Sequence, residues 1–453
     1  MQRFLAARRL RDFYPAFPWV TSRCIWAIVL VALLVGAGAL LHVALLAGYT
    51  AAMLLLVALA LDLALGPKRR DIVVAREPVE HLALRKPGHL RYSIINRTGT
   101  PLRYAIVDTP VATMDFPEDA VSGVIGSQRS KLAQLEVMPR ARGAVQLGTL
   151  FVSAENPVGL IARRWKLRSP LEARVYPDLS AVERYGELAR RGRLIEAGFR
   201  KLRRRGRGGE FDALREWTPD DEFRSINWKA TARRAKLMVE QYDVERSQTV
   251  MLVLDAGRLM TPRLADQRKF DFAVTAALSV ASIASLAADK VGLLAFAGRI
   301  LEHIPPRTGT RHANGMTQRI YDLQPRFEEA DYAGAFGYLR RRQTKRSLVI
   351  FFTDMFDPVA SAASLAHLTQ LVARHLVVCV LMNDEAIESS LGRAAHTGSE
   401  AYEAGVAAAL LTERRKTAAV LRQLGVSVID VPAKALTVSL INAYIEIKAQ
   451  ALL

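Results

Sequence analysis

Cysteine is almost missing: 453 residues hold two, Cys24 and Cys379, far apart in the chain. That pair excludes a disulfide framework and a thiolate metal site. Short catalytic motifs are missing as well. The chain has no Gly-x4-Gly-Lys-Ser/Thr phosphate loop, no His-Glu-x2-His, no Gly-x-Ser-x-Gly and no Cys-x2-Cys. Its eight histidines are scattered, and neither His42 nor His312 has a spaced partner. No catalytic constellation emerges, so the reading is binding and not an enzyme. Negative charge is scarce: 44 Asp and Glu face 63 Lys and Arg, a formal charge of +19. Such an excess asks for a large anionic partner, or places basic residues against an anionic membrane surface. The length exceeds one compact core and implies two or three folded units.

From Cys24 to Gly66 the only acidic or basic side chains are His42 and Asp62. A helix needs roughly 20 residues to cross the hydrocarbon, and this stretch holds about two such lengths. Residues Gly48, Tyr49 and Thr50 mark a turn or interface, and Gly36 and Gly38 allow close helix contact. The expectation is a membrane anchor over 1–70, with transmembrane spans at about 24–45 and 49–66. Arg3, Arg8, Arg9, Arg11 and Arg23 precede the first span, and Lys68, Arg69 and Arg70 follow the second. The positive-inside rule then puts both termini in the cytoplasm. A cleaved signal peptide fits poorly, since its apolar region is only about 7–15 residues. Asp62 is expected to snorkel towards the cytoplasmic interface.

Over 71–178 the pattern changes to short β-branched runs, such as Asp71-Ile-Val-Val-Ala and Leu90-Arg-Tyr-Ser-Ile-Ile. Turn signals separate them, among them Lys86-Pro-Gly and Glu155-Asn-Pro-Val-Gly. This spacing predicts a small antiparallel β-sandwich or barrel.

Residues 179–247 form a basic linker and a signature segment. Arg200, Lys201, Arg203, Arg204, Arg205 and Arg207 crowd together, with Phe199 the single aromatic nearby. The run suits an anionic lipid surface, a partner or plain solvent; nucleic acid is disfavoured because a stacking platform is missing. Next comes Glu210-Phe-Asp-Ala-Leu-Arg-Glu-Trp-Thr-Pro-Asp-Asp-Glu-Phe-Arg-Ser-Ile-Asn-Trp-Lys-Ala-Thr-Ala-Arg-Arg234. Thr218-Pro219 reads as a helix start, with Asp220 and Arg224 one turn apart. Trp217, Phe223, Ile226 and Trp228 offer an apolar face rimmed by Glu216, Arg224, Lys229 and Arg233. Either an intramolecular clasp or a partner anchor would use it.

This segment resembles the signature of the family known as domain of unknown function 58. Arg215, Glu216, Asp221, Arg224, Trp228, Lys229 and Arg233 fall on its pattern, while Trp217, Asp220 and Asn227 depart from it. Pro139-Arg-Ala-Arg-Gly, Asn156-Pro-Val-Gly-Leu160 and the hairpin anchor are similar to that family too. The resemblance implies a bacterial plasma (inner) membrane protein.

Residues 248–453 alternate apolar strand patterns, at Thr249–Asp255, Val291–Ala297, Ser347–Asp354, Leu376–Met382 and Val426–Val431, with helical ones. That implies a mostly parallel sheet covered on both faces, with its site beyond the strand ends where Asp255 and Asp354 fall. The arrangement resembles an α/β von Willebrand factor A-like (Rossmann-like) domain. Such domains hold Mg²⁺ through Asp-x-Ser-x-Ser, a threonine and a distal aspartate. Here the stretch is Asp255-Ala-Gly-Arg-Leu259, so both serines are gone. Asp255, Thr308 and Asp354 would make a degenerate metal site binding Mg²⁺ weakly or not at all, with Asp255 alternatively held by a nearby arginine. No other cofactor is expected. The resemblance further implies a protein partner among MoxR-type AAA+ ATPases. A membrane-anchored scaffold or adaptor would receive it on a rim of Asp255, Arg258, Thr308, Thr310, Asp354 and Asp357. The alternatives are a metal-dependent enzyme using Asp255 and Asp354, or an electrostatic tether through Arg190–Arg207.

Overall fold

The computed structural model describes residues 19–41, 45–79, 81–118, 120–190, 209–219, 221, 223–244, 248–264, 266–354, 362–384, 387, 389, 391 and 396–450. The chain divides into two compact units, Met1–Tyr176 and Pro177–Leu453.

The first unit opens with a two-residue strand, β1 (Trp19–Val20), then helices α1 (Ser22–Leu41) and α2 (Leu45–Leu65). Both helices are long and apolar enough to cross a membrane, and most of their surface is unburied within the protein. A helix apolar on every side needs an apolar surrounding. The strands β2 (Ile72–Arg76), β3 (Leu82–Ala83), β4 (Gly88–Asn96), β5 (Leu102–Asp108), β6 (Met114–Asp115), β7 (Val121–Ile125), β8 (Ser130–Pro139), β9 (Gly143–Glu155) and β10 (Ile161–Tyr176) follow. They form one sheet ordered β1-β10-β9-β5-β7, with β3 on β10, and another ordered β2-β4-β8-β6. Alternate residues of β4 (Leu90, Tyr92, Ile94) and β5 (Leu102, Tyr104, Ile106) are buried in a core shared by the two sheets. Pairing is antiparallel except where Val175 and Tyr176 run parallel to Leu82 and Ala83. Inside that core the Arg76 guanidinium grips Asp108, whose Oδ2 also accepts from the Tyr92 hydroxyl at 2.8 Å.

Asp62 does not reach for solvent. It is 5% exposed, and its Oδ2 accepts the backbone N–H groups of Leu160 (3.0 Å) and Ile161 (2.8 Å). Its Oδ1 accepts from Asn156 Nδ2 at 3.3 Å. The same turn reaches the start of α1, where Thr21 Oγ1 donates to the Gly159 carbonyl at 2.6 Å and Val20 pairs with Ile161. Expected snorkelling fails because the β9–β10 turn supplies donors to the carboxylate within the protein. The outer ends of both apolar helices therefore meet on one turn.

The second unit begins with α3 (Ser180–Arg190). A hairpin of β11 (Gly209–Glu216) and β12 (Met238–Val244) follows, enclosing a short helix α4 (Trp228–Arg234). Next come β13 (Thr249–Asp255), the pair β14 (Arg263–Leu264) and β15 (Gln267–Arg268), α5 (Lys269–Leu286), β16 (Lys290–Phe296) and β17 (Ile300–Arg307). Helices α6 (Thr310–Ile320) and α7 (Tyr332–Arg342) lead to β18 (Leu348–Phe352), α8 (Ala362–Val372) and β19 (Leu376–Asn383). Helix α9 (Gly398–Gln423), β20 (Ser427–Pro432) and α10 (Leu436–Ala449) complete it. The main sheet runs β17-β16-β13-β18-β19-β20, parallel throughout except for β17. Pro305 and Pro306 suit that edge strand, because proline cannot donate to a central ladder. Val250, Leu252 and Leu254 of β13 pack with α5 and α10, and Met251 and Val253 pack with α7, α8 and α9. Helix α5 is apolar enough to span a membrane by composition, yet it is largely buried against this sheet.

Candidate functional site

Strand order reverses between β13 and β18, the place where open parallel sheets form a crevice beyond their carboxyl ends. Asp255 closes β13, and Thr353 and Asp354 follow β18; all three are fully buried. A buried carboxylate needs donors or a cation, and the two aspartates meet that need differently.

Asp255 is held by neutral donors. Its Oδ2 accepts from the Tyr332 hydroxyl at 2.7 Å and from Thr353 Oγ1 at 2.9 Å. Its Oδ1 accepts from the Gly257 N–H at 2.8 Å. Burial pushes this carboxyl above the usual range, and the hydrogen bonds from Tyr332, Gly257 and Thr353 oppose that. Burial also pushes the Tyr332 phenol up, helped by the neighbouring Asp255 charge. Residues 321–331 cross this end: Arg326 N donates to the Ala256 carbonyl at 2.7 Å and Arg258 N to Glu328 at 2.8 Å.

Asp354 is held by cations. Lys269, the first residue of α5, places its ammonium on Oδ2. Arg414, within α9, reaches Oδ1 at 3.3 Å. Arg414 also grips Asp430 of β20, with Nη2 to Oδ1 at 2.7 Å and Nε to Oδ1 at 3.1 Å. Lys269 and Arg414 are only 6% and 4% exposed. Burial pushes the Asp354 carboxyl up, while Lys269 and Arg414 pull the other way.

Three expectations change here. Thr308 and Thr310 do not join Asp255 and Asp354. β17 runs antiparallel, so Arg307 pairs with Val291 near the start of β16 and both threonines fall at the opposite end of the sheet. Arg258 does not reach Asp255 or Asp354; it is exposed and faces Glu329 at 3.6 Å. Tyr332 and Thr353, rather than an arginine, hold Asp255. No sequence motif marked Tyr332, which lies 77 residues away. Asp357 lies outside the described residues.

The metal implied by an A-like domain can be tested against these donors. Gly257 and Leu259 stand where serine hydroxyls would. A Cβ on Gly257 would come within 3.0 Å of the Ala330 Cβ and 3.1 Å of both Asp255 Oδ1 and the Glu328 carbonyl, leaving no room for a hydroxyl without a shift. Both Asp354 oxygens already carry cationic donors. Among the described residues no group of three His, Cys, Asp or Glu side chains is placed to hold a metal ion. Magnesium asks for near-octahedral hard oxygens, and this set does not fit it.

The signature segment forms the loop of the β11–β12 hairpin. Thr218 does not cap a helix. Instead Asp221 accepts from Thr218 N (2.9 Å) and Oγ1 (2.8 Å) and from both terminal nitrogens of Arg215. That grip holds the Asp221 carboxyl well below the usual range. The helix starts later, capped by Asn227, whose side chain accepts from Ala230 N at 2.9 Å. Asp220, the partner proposed for Arg224, lies outside the described residues. Ile226 is buried, whereas Phe223 and Trp228 are exposed and meet edge to face with centroids 5.7 Å apart. Glu216 pairs with Lys236 at 2.6 Å, and Lys229 and Arg233 are exposed. Trp217 is half-buried, with Nε1 lacking a partner. Arg200, Lys201, Arg203, Arg204, Arg205 and Arg207 lie outside the described residues.

Among known proteins, uncharacterized proteins of Mycobacterium tuberculosis (Rv1480) and Mycobacterium bovis (Mb1516) are each 28% identical over 181 residues. That match covers 40% of this chain and 56% of each relative, so it spans little more than half of their length. Among solved structures, the ASH / PapD-like domain 7 of human CEP192 aligns over 24% of this chain and 87% of that one, at 11% identity and a TM-score of 0.19. The family model described as "Protein of unknown function DUF58" matches residues 213–417. That stretch starts within β11 and ends within α9, so the Asp255 network, Asp354 with Lys269 and Arg414, and the signature loop fall in the region that matches DUF58, while Asp430 lies beyond it.

Proposed function

We propose that this chain is a membrane-anchored scaffold or adaptor whose α/β unit is a von Willebrand factor A-like domain that binds a protein partner. The observation that carries this reading is the use made of the two strand-end aspartates. Every oxygen of Asp255 and Asp354 is engaged by an internal donor, which leaves neither free to move a proton or activate water. The A-like assignment is supported by the strand order, with its antiparallel edge strand beside five parallel ones. The anchor is read as a two-span hairpin with both ends on the cytoplasmic side of the bacterial inner membrane. Flanking arginines and lysines favour that orientation, as does the common turn on which both outer helix ends meet.

A MoxR-type AAA+ ATPase is the proposed partner, and the exposed rim of Arg258 and Glu329 the proposed contact. The test is to crosslink the tagged full chain in native membranes, with and without ATP, and to identify what co-purifies. Nucleotide-dependent recovery of an AAA+ ATPase, lost in Arg258→Glu with membrane insertion intact, is expected. Recovery unaffected by nucleotide and by Arg258→Glu would overturn the assignment.

A second reading has its own observation: Phe223 and Trp228 stand exposed beside Lys229, Arg233 and Arg234. Aromatic and basic side chains together suit an anionic bilayer surface. Salt-sensitive cosedimentation with anionic vesicles, weakened in Trp228→Ala, would favour it; equal binding to neutral vesicles would remove it.

A further inference from the structure

The placement of Lys269 is costly by itself. It is a lysine more than nine-tenths buried at the first position of an 18-residue helix. That is the positive end of the helix dipole, which disfavours a cation. Asp271, in the same turn, closes a capping box and offsets only part of this. Nothing in helix formation asks for a lysine here; Asp354 does. Around it, the carboxylates of Asp354 and Asp430 meet the cations of Lys269 and Arg414, and Asp384 lines the same small cavity. A divalent ion added there would have to share Asp354 with two cations already seated on its oxygens.

We infer that the ammonium of Lys269, backed by the Arg414 guanidinium, does the charge-compensating work that a divalent metal does in metal-binding A-like domains. The strand-end face is thereby held together without a metal. This rests on the A-like reading above, and it makes partner capture through this face indifferent to divalent cations.

The elements that supply the two cations fit such a role. Lys269 arrives from α5 and Arg414 from α9, on opposite faces of the sheet, so the pair ties both helical layers to the end of β18. A metal ion could be removed by a chelator. A lysine and an arginine built into two helices cannot be, and the face they hold stays assembled whatever the cation supply.

The test uses the full chain in detergent and needs no partner, so its outcome is separate from that of the adaptor reading. Thermal unfolding and Mn²⁺ binding are measured for the native chain, for Lys269→Met and for Lys269→Met/Asp354→Leu. The native chain is expected to show no stoichiometric Mn²⁺ binding and no rise in Tm with about 10 mM Mg²⁺ beyond a salt-matched control, since specific binding at that level would stabilise it. Lys269→Met leaves Asp354 under-compensated and should lower Tm by roughly 10 °C. The double variant removes the carboxylate as well and should recover most of that loss. Stoichiometric Mn²⁺ binding by the native chain would overturn the inference. So would a Lys269→Met chain as stable as the native one. If Lys269→Met fails to fold, the double variant decides: recovery supports the inference, and continued failure refutes it.

Discussion

Replacing Asp62 by alanine should release the β9–β10 turn from the apolar hairpin. Its carboxylate accepts two backbone N–H groups, those of Leu160 and Ile161, whose residues are each 8% exposed. A buried donor left without an acceptor costs about 1–3 kcal/mol, so the two together put roughly 2–6 kcal/mol at stake. Expressed as local opening, that is about thirty-fold to more than ten-thousand-fold faster amide exchange. The assay is hydrogen–deuterium exchange read by mass spectrometry on peptides covering 156–165, with the chain in nanodiscs. Peptides from the core strands β4 and β8 serve as internal controls. Asp62→Asn supplies the contrast. Its remaining oxygen can still accept both backbone N–H groups, and Asn156 Oδ1, which has no partner, can turn to meet the new amide. Exchange in Asp62→Asn should therefore stay within about tenfold of native. Native-like exchange in Asp62→Ala, or equal damage from both substitutions, would refute the reasoning.

Three further outcomes follow from other sites. Asp108→Ala strands the buried Arg76 guanidinium and should cost about 3–5 kcal/mol, while Arg76→Met/Asp108→Leu should come close to native, as chemical denaturation of the solubilised chain will show. Cys379 is wholly buried and its thiol is pushed up to about 12 by burial, so it should resist maleimide at pH 8 until the chain unfolds, as intact-mass measurement will report. Asp221 is depressed in the folded loop by Arg215, so its contribution is present in full above the ordinary value of about 4 and is lost as pH falls through the folded value. Cleavage of the 217–237 loop by an acid protease should accelerate only below that range, and Arg215→Gln should remove the threshold.

Apolar strands alternating with helical patterns announce the α/β unit, and the long apolar stretch announces the paired apolar helices. Both signals are local and periodic. What stayed hidden is long-range. β17 carries two prolines and little apolar alternation, so its run along the sheet edge had no signature, and its direction sends Thr308 and Thr310 away from the strand-end aspartates. Asp255 and Asp354 were legible because they terminate apolar runs. Their partners Tyr332, Lys269 and Arg414 were not, because they lie 77, 85 and 60 residues distant and come from three helices. The helix start read at Thr218-Pro219 was displaced to Asn227, because Asp221 spends its carboxylate on Arg215 and holds the intervening chain in a turn.

The short strand β1 carries a practical consequence for dividing the chain. Trp19 and Val20 belong to the same sheet as β10, and 138 residues separate Thr21 from its acceptor Gly159. A fragment beginning after the apolar helices would lose a strand, and it would leave the N–H groups of Leu160 and Ile161 without the carboxylate that receives them. The apolar hairpin is thus part of the first unit's covalent and hydrogen-bonded fabric. The division compatible with both parts falls at Pro177, where one compact unit ends and the next begins.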